Sequence, residues 1–323
     1  VAGGMGYIGS HTVVELINAG YEALIVDNLS NSNLGVLDGI DAITGKRPEF
    51  IEADCADLDA MRSIFASHPA IAGVIDFAAS KAVNESVHKP LLYYRNNIVS
   101  LLNLLECING APECRGIVFS SSCTVYGEPD TNPVTEMSPV KPATSPYGNT
   151  KQISEDIIRD TVAAGTSFNA ILLRYFNPVG AHPSALIGEL PNGVPQNLIP
   201  YLTQTAIGIR KQLSVFGDDY PTPDGSCIRD FIDINDLARA HVTAVKRIVN
   251  NGMDENVEVF NLGTGHGVSV LELINTFEKA TGVKVPYAIA PRREGDIIQV
   301  WADPSKANTI LGWKAETPLE QTM

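Results

Sequence analysis

Over residues 1–176, short apolar runs alternate with longer segments in which apolar residues recur every three or four positions. The runs at 23–27, 50–53, 74–77, 116–120 and 170–175 are rich in Val, Ile, Leu and Phe, mostly too apolar to be half-exposed, and predict strands covered on both faces. The periodic segments at 10–19, 58–67, 91–108 and 147–163 predict helices. Alternation of this kind marks βαβ units, so the expected architecture is an α/β fold with a doubly wound parallel sheet. After Pro178 the chain becomes loop-rich, and shorter helices at 194–209, 234–249 and 268–281 are separated by short strands. That change predicts a smaller C-terminal α/β lobe, dividing the chain into residues 1–176 and 177–323.

The 323 residues, 44% of them hydrophobic and 19% charged, suffice for a large buried core and exclude both disorder and a small stapled scaffold. Twenty-three Lys and Arg against 37 Asp and Glu leave a net charge of −14, which opposes general binding to nucleic acid or an anionic membrane. An anionic ligand therefore needs its own local cations. The five cysteines at 55, 107, 114, 123 and 227 are scattered, with no C-x-x-C pair and no His at ligand spacing. A reducing cytoplasm fits, and no metal site is expected. No apolar stretch has bilayer length, and no export signal opens the chain. The ends read as cut: no strand precedes the glycine turn, and a helix start at Thr317-Pro318-Leu319-Glu320 is followed by only three residues. A fragment of a slightly longer chain is expected.

Gly3, Gly6 and Gly9 lead straight into a helical pattern. Glycine there permits a tight turn, close approach to a pyrophosphate and packing of helix on strand, with free N–H groups of the helix facing the phosphates. By itself the spacing is equally that of a plain tight turn. Asp27 ends the next strand 18 residues after Gly9. That is near the roughly 20 expected of an acid that binds an adenosine ribose, and a carboxylate repels a 2′-phosphate, so a Rossmann-type domain with NAD rather than NADP is expected. Asp54 closes the following strand, where it either reaches the adenine amine or is a solvated strand end.

Tyr147 and Lys151 follow a helix start at Ser145-Pro146, four residues apart and on one face. Surface helices offer the same spacing by chance. A phenol of pKa near 10 needs ~4 kcal/mol of preferential phenolate stabilisation to fall by ~3 units, which an ammonium and a cationic nicotinamide together supply. Ser120 to Thr124 close an apolar strand at the edge where a parallel sheet presents its chemistry. Their hydroxyls pass a proton between substrate and Tyr147, or simply cap the strand end.

With these features in this order, the chain resembles the extended short-chain dehydrogenase/reductase superfamily and, within it, the UDP-glucose 4-epimerases. The closer resemblance rests on DNLSNS at 27–32, FAASKAVNESV at 77–87, SSCTVYG at 121–127, LRYFNPVGAHPS at 173–184 and RREGD at 292–296, blocks spread over nearly the whole chain. It implies reversible C4 epimerisation of UDP-glucose and UDP-galactose, in galactose metabolism, through a 4-keto sugar and with tightly held NAD. It also implies that Tyr147 takes the 4-hydroxyl proton, that Lys151 orients the nicotinamide ribose and acidifies Tyr147, and that Ser122 and Thr124 hold the 4-oxygen. By the same resemblance the cofactor is lined by Gly3, Gly6, Tyr7, Ile8, Gly9, Asp27, Asn28, Leu29, Ser30, Asn31, Ser32, Asp54, Cys55, Phe77, Ala78, Ala79, Ser80, Lys81, Asn96 and Phe176, with Ser122, Tyr147 and Lys151. The UDP-hexose is met by Asn177, Asn197, Leu198, Ser214, Val215, Phe216, Arg229, Arg293, Asp296 and Val300, with Ser122 and Tyr147. Guanidinium forks suit phosphate oxygens, although either arginine alone also reads as a surface ion-pair partner.

Departures from the family pattern are Ala2 for Thr, Asn84 for Gly, and Cys123 where Ala or another small residue is usual. None removes a reacting group. Val300 stands where bulk is associated with exclusion of N-acetylated sugars, so its small size implies that UDP-GlcNAc and UDP-GalNAc are accepted too. A 4,6-dehydratase is the nearest rival, but it uses an Asp-Glu pair where this chain has Cys123-Thr124. Epimerases of UDP-glucuronate or UDP-xylose are harder to separate, and a non-catalytic NAD-sensing regulator needs only the glycine turn and Asp27. The resemblance also implies a homodimer packed through the helices at 91–108 and 147–163.

Overall fold

The computed structural model describes residues 1–293 and 295–323; Glu294, within the 292–296 block, lies outside the described residues. In the first half, helices α1 (Tyr7–Asn18), α2 (Gly35–Thr44), α3 (Leu58–Ser67), α4 (Val83–His88), α5 (Pro90–Asn109) and α6 (Pro146–Ala163) alternate with five strands. These are β1 (Leu24–Asp27), β2 (Glu49–Glu52), β3 (Val74–Asp76), β4 (Gly116–Ser122) and β5 (Asn169–Tyr175). The second half carries β6 (Asn177–Val179), α7 (Leu198–Ala206), β7 (Leu213–Phe216), β8 (Ile228–Arg229), β9 (Phe231–Asp233), α8 (Ile234–Val249), β10 (Val257–Leu262) and β11 (Val268–Ser269). It ends with α9 (Val270–Thr281), β12 (Tyr287–Ala290), β13 (Gln299–Val300) and α10 (Leu319–Thr322).

The main sheet is parallel throughout. β2 pairs with β1, and β3, β4, β5 and β10 follow one another, while Ala2 bridges Val26 and Asp76 and so joins the two parts. The start of the chain therefore lies between β1 and β3, with Gly3 N donating to Val26 O at 2.8 Å and Phe77 N to Ala2 O at 2.9 Å. Every residue of β4 is buried, as its apolar run requires. One face packs on α3, α5 and α6 through residues such as Met61, Leu101, Leu104 and Ile158. The other packs on α1 and α8 through Leu16, Leu237 and Ala244. Each fully buried Leu or Ile contributes about 1.5–3 kcal/mol, so these two layers fix the sheet edge on which the site is built.

Several elements differ from the periodicity. α1 starts at Tyr7, not residue 10, because the glycine turn runs directly into it with Gly6 as N-cap. α2 and α4 were not expected. The helix expected over 268–281 gives its first two residues to β11 and starts after Ser269, whose side chain forms a capping box with Glu272. The helix expected over 194–209 contracts to α7, since a residue before proline, here Val194 before Pro195, is turned away from the helical region. β10 belongs to the main sheet, although it lies in the second half of the chain. In the smaller lobe β7 pairs with β12, and β8 with both β11 and β13. Fully buried Asp230 accepts hydrogen bonds from Thr264 N and Oγ1, Gly265 N and Ala302 N, so one carboxylate ties three segments together.

Candidate functional site

The glycine turn is required by contact as well as by dihedral angle. Gly3 has φ +71°, and a Cβ there would lie 2.8 Å from the Phe77 carbonyl carbon, while a Cβ on Gly9 would collide with Gly3 O. Asp27 binds this turn to the next loop: Oδ2 accepts from Met5 N at 3.0 Å, and Oδ1 from Leu29 N at 2.9 Å and Ser32 Oγ at 3.0 Å. Asn28 Nδ2 reaches Asp54 Oδ2 at 3.3 Å. Ser80 Oγ accepts from Asn96 Nδ2 at 3.2 Å, and Lys81 Nζ stands 5.7 Å from the centre of the Tyr7 ring. The expected cofactor positions thus meet along one sheet edge. Cys55 differs from them: its side chain sits in the core and burial pushes its thiol up to about 12, so its backbone is what a ligand would meet. A cradle that a Cβ would fill, first-turn N–H groups of α1 and an acid at a strand end fit a dinucleotide without a 2′-phosphate.

Further along this edge the three serines of β4 part company. Ser120 Oγ bonds the Tyr175 hydroxyl, and Ser121 Oγ donates to Glu155 Oε1 at 2.5 Å. Only Ser122 influences Tyr147, whose phenol its hydroxyl acidifies, while it also accepts from Thr124 N at 3.2 Å. α6 begins with Ser145 Oγ accepting from Gly148 N and with Pro146 in the first turn. The Cys123–Tyr126 turn packs against this first turn of the helix, with Thr124 beside Gly148. Lys151 Nζ lies 5.9 Å from the Tyr147 ring centre and donates to Ser120 O at 2.6 Å.

Burial pushes the Tyr147 phenol up to about 12, against the pull of the Ser122 hydroxyl. Burial also draws Lys151 down to about 8, resisted by the carboxylates of Asp76 and Glu155. At neutral pH the protein by itself holds the phenol protonated and the ammonium charged. The acidification expected from sequence thus needs a positive charge brought against the phenol, as a nicotinamide ring does. Thr124 Oγ1 is buried with no hydrogen-bond partner among the described residues, a hydroxyl free for a ligand oxygen at this corner.

Two residues that sequence reasoning passed over hold α6 in place. Glu155 accepts from Arg174 Nε at 2.8 Å and Nη2 at 2.5 Å, and Arg174 Nη1 donates to the Tyr126 hydroxyl at 3.0 Å. The signal was an arginine inside an apolar strand, which demands a buried partner.

The positions expected to meet the nucleotide sugar lie around the short strands of the second half of the chain. Arg293 Nε and Nη2 donate to the two oxygens of Asp296 at 3.0 and 3.1 Å, and its guanidinium lies 4.8 Å from the Phe216 ring centre. Arg229 Nη2 stands 3.8 Å from Asp296 and donates to Ile297 O at 2.9 Å. Phe216, Arg229, Arg293 and Asp296 therefore form one cluster, with the cations already paired. Val215 points into the lobe core and leaves its backbone beside Ser214, and Leu198 packs against the same core. Asn177 N donates to Asp230 O at 2.9 Å. Val300 is buried against Phe176, Tyr126 and Val125. Asn197 donates to Glu189 Oε1 at 2.7 Å.

A family described as GDP-mannose 4,6 dehydratase matches residues 1–323. The UDP-glucose 4-epimerase of Bacillus subtilis (strain 168) is 52% identical over 321 residues, covering 99% of this chain and 93% of that protein. The structure of UDP-glucose 4-epimerase from Bifidobacterium longum in complex with NAD+ and UDP is 48% identical, with a TM-score of 0.95 over 99% of this chain and 94% of that one. The Stenotrophomonas maltophila enzyme, with bound NAD and formylated UDP-arabinopyranose, is 47% identical, with a TM-score of 0.94 over the same shares.

Proposed function

We propose how the site works in a chain that belongs to the UDP-glucose 4-epimerase family and that interconverts UDP-glucose and UDP-galactose with NAD as cofactor. When bound, NAD supplies a reversible acceptor for the C4 hydrogen, so that the alcohol passes through a ketone and regains hydrogen on either face. Gly3, Gly6, Gly9 and the first turn of α1 hold its pyrophosphate, Asp27 its adenosine ribose and Lys151 its nicotinamide ribose. Residues 1–176 carry most of this cofactor surface, and residues 177–323 mainly carry the nucleotide sugar.

Tyr147 accepts the 4-hydroxyl proton and later returns it. Ser122, whose hydroxyl acts on the phenol, and Thr124, with its unengaged hydroxyl, hold the 4-oxygen. The Lys151 ammonium favours the phenolate. Arg229 and Arg293 exchange the Asp296 carboxylate for diphosphate oxygens. With affinity drawn from UDP, the hexose stays free to turn between its two orientations. The small size of Val300 supports acceptance of N-acetylated sugars, with UDP-GlcNAc and UDP-GalNAc as substrates as well.

Although the matching family bears a dehydratase name, Cys123 and Thr124 offer no acid and base for dehydration. α5 exposes Leu91, Leu92 and Leu102, which supports a homodimer through α5 and α6. All five cysteines are free, which accords with the cytoplasm, and no helix among the described residues is long and apolar enough to cross a membrane.

The observation that carries this reading is the half-buried Tyr147 phenol, acidified by the Ser122 hydroxyl and with an ammonium 5.9 Å from its ring centre at the end of β4. Incubation with UDP-galactose and no added nucleotide is expected to yield UDP-glucose, and the denatured protein to release NAD. A protein that carries no dinucleotide and leaves UDP-galactose unchanged overturns the reading.

A further inference from the structure

Residues 180–197 strap the cofactor edge between β6 and α7. Tyr7 Oη donates to Gly180 O at 2.7 Å, Asn192 N to Asn31 Oδ1 at 3.3 Å, and Lys81 Nζ to Glu189 Oε1 at 2.9 Å. The same Glu189 oxygen accepts from Asn197 Nδ2 at 2.7 Å. One carboxylate oxygen therefore joins a residue of the cofactor side to a residue of the nucleotide-sugar side.

Two features distinguish this junction from an ordinary surface ion pair. The Glu189 side chain is 8% exposed while that of Lys81 is 40% exposed, so the acid is secluded and its partner reaches outward. Asn197 occupies the N-cap of α7, where an Asn side chain ordinarily accepts from a first-turn N–H, yet it makes no cap hydrogen bond. Its amide is turned to Glu189 instead. A helix gives up a favourable cap at the position where the two sides of the site meet.

We propose that Glu189 is a positioning residue that couples the halves of the site, so that UDP-sugar binding tightens the hold on NAD and NAD binding tightens the hold on UDP-sugar. The inference rests on placing Lys81 with the cofactor and Asn197 with the UDP-sugar. Either ligand orders the same three side chains, so the second ligand meets groups already fixed. Such coupling serves a reaction in which a keto sugar must be reduced by the cofactor molecule that oxidised it.

The test is the rate of NAD release from holoenzyme with and without UDP. In the parent, UDP slows release about tenfold, a coupling usual between linked sites. In Glu189→Gln, which keeps the shape but removes the charge shared by Lys81 and Asn197, the slowing falls below about twofold. Undiminished protection by UDP in Glu189→Gln overturns the coupling, as does parent NAD release that UDP does not alter while UDP still binds. A parent that holds no NAD or binds no UDP overturns instead the functional reading beneath it. Should Glu189→Gln fail to fold, Glu189→Asp, which withdraws the carboxylate by one methylene, is read in the same way: weakened protection supports the coupling and full protection overturns it.

Discussion

Around Tyr147 the supporting groups are buried and committed to fixed partners, with Glu155 and Arg174 only 5% and 4% exposed at the side chain and paired bidentately. Around the positions proposed for the diphosphate the groups are more open, with Arg293 42% and Asp296 16% exposed and paired mainly with each other. The contrast separates two physical demands. A group that moves a proton must stand still relative to the atom it serves, so its helix is locked to the sheet by an ion pair that water does not reach. On the proposed roles, a group that grips UDP must also release it, which suits charges resting in pairs that a phosphate can replace and that re-form afterwards.

The comparison breaks most severely at the phenol. Tyr147→Phe is expected to lower kcat by about 10³–10⁴, at the upper end for loss of a general acid–base, while UDP binding measured by calorimetry persists. Next comes the lock behind it: Arg174→Met strips buried Glu155 of its bidentate partner, leaving it Ser121 Oγ and Arg159 at 3.6 Å, and should cost up to about 3–5 kcal/mol in denaturant unfolding. Unfolding unchanged by this substitution would show that the pair does not hold α6.

Lys151→Met should lower kcat by about 10²–10³, and its pH profile carries the sign. The ammonium, present below about 8, favours the phenolate. Its loss raises the proton affinity of Tyr147, so the acid limb of kcat/KM against pH must move to higher pH, and a limb that stays or moves down contradicts the role. Val300 lies on the boundary between the two regions, beneath Phe176. Val300→Tyr should cost about 1–3 kcal/mol by overpacking and lower the ratio of UDP-GlcNAc to UDP-glucose turnover; an unchanged ratio removes Val300 from specificity. The smallest effect belongs to the open side. Arg293→Gln should raise KM for UDP-galactose about tenfold, close to 1.4 kcal/mol, with kcat little changed in steady-state assays.

The same contrast decides how much could be read from the sequence. The placement of Ser122, Tyr147 and Lys151 at one sheet edge was legible because a buried strand end and a helical spacing of four are local patterns, and the lock is local too once an arginine in an apolar strand is taken as a demand for a partner. α2 was passed over although Leu37, Ile40 and Ile43 keep helical spacing, since two glycines and the turn at Asp27–Ser32 mask its start. Arg229 and Arg293 read from sequence either as phosphate ligands or as ion-pair partners of an unnamed acid, because sequence shows charge but not pairing, and only the fold brings Asp296 to both. The pairing of β10 with β5 joins residues about 87 positions apart, with Val257 opposite Ala170, and no spacing rule reaches that far.

That distant pairing has a consequence for biosynthesis. As the polypeptide leaves the ribosome, β5 emerges with an open, apolar edge that stays unclaimed until residues 257–262 follow. For the whole of that interval the nascent protein offers a template on which other chains can add strands, so the time spent translating the smaller lobe is also the time of greatest exposure to aggregation, and the natural moment for a chaperone to act.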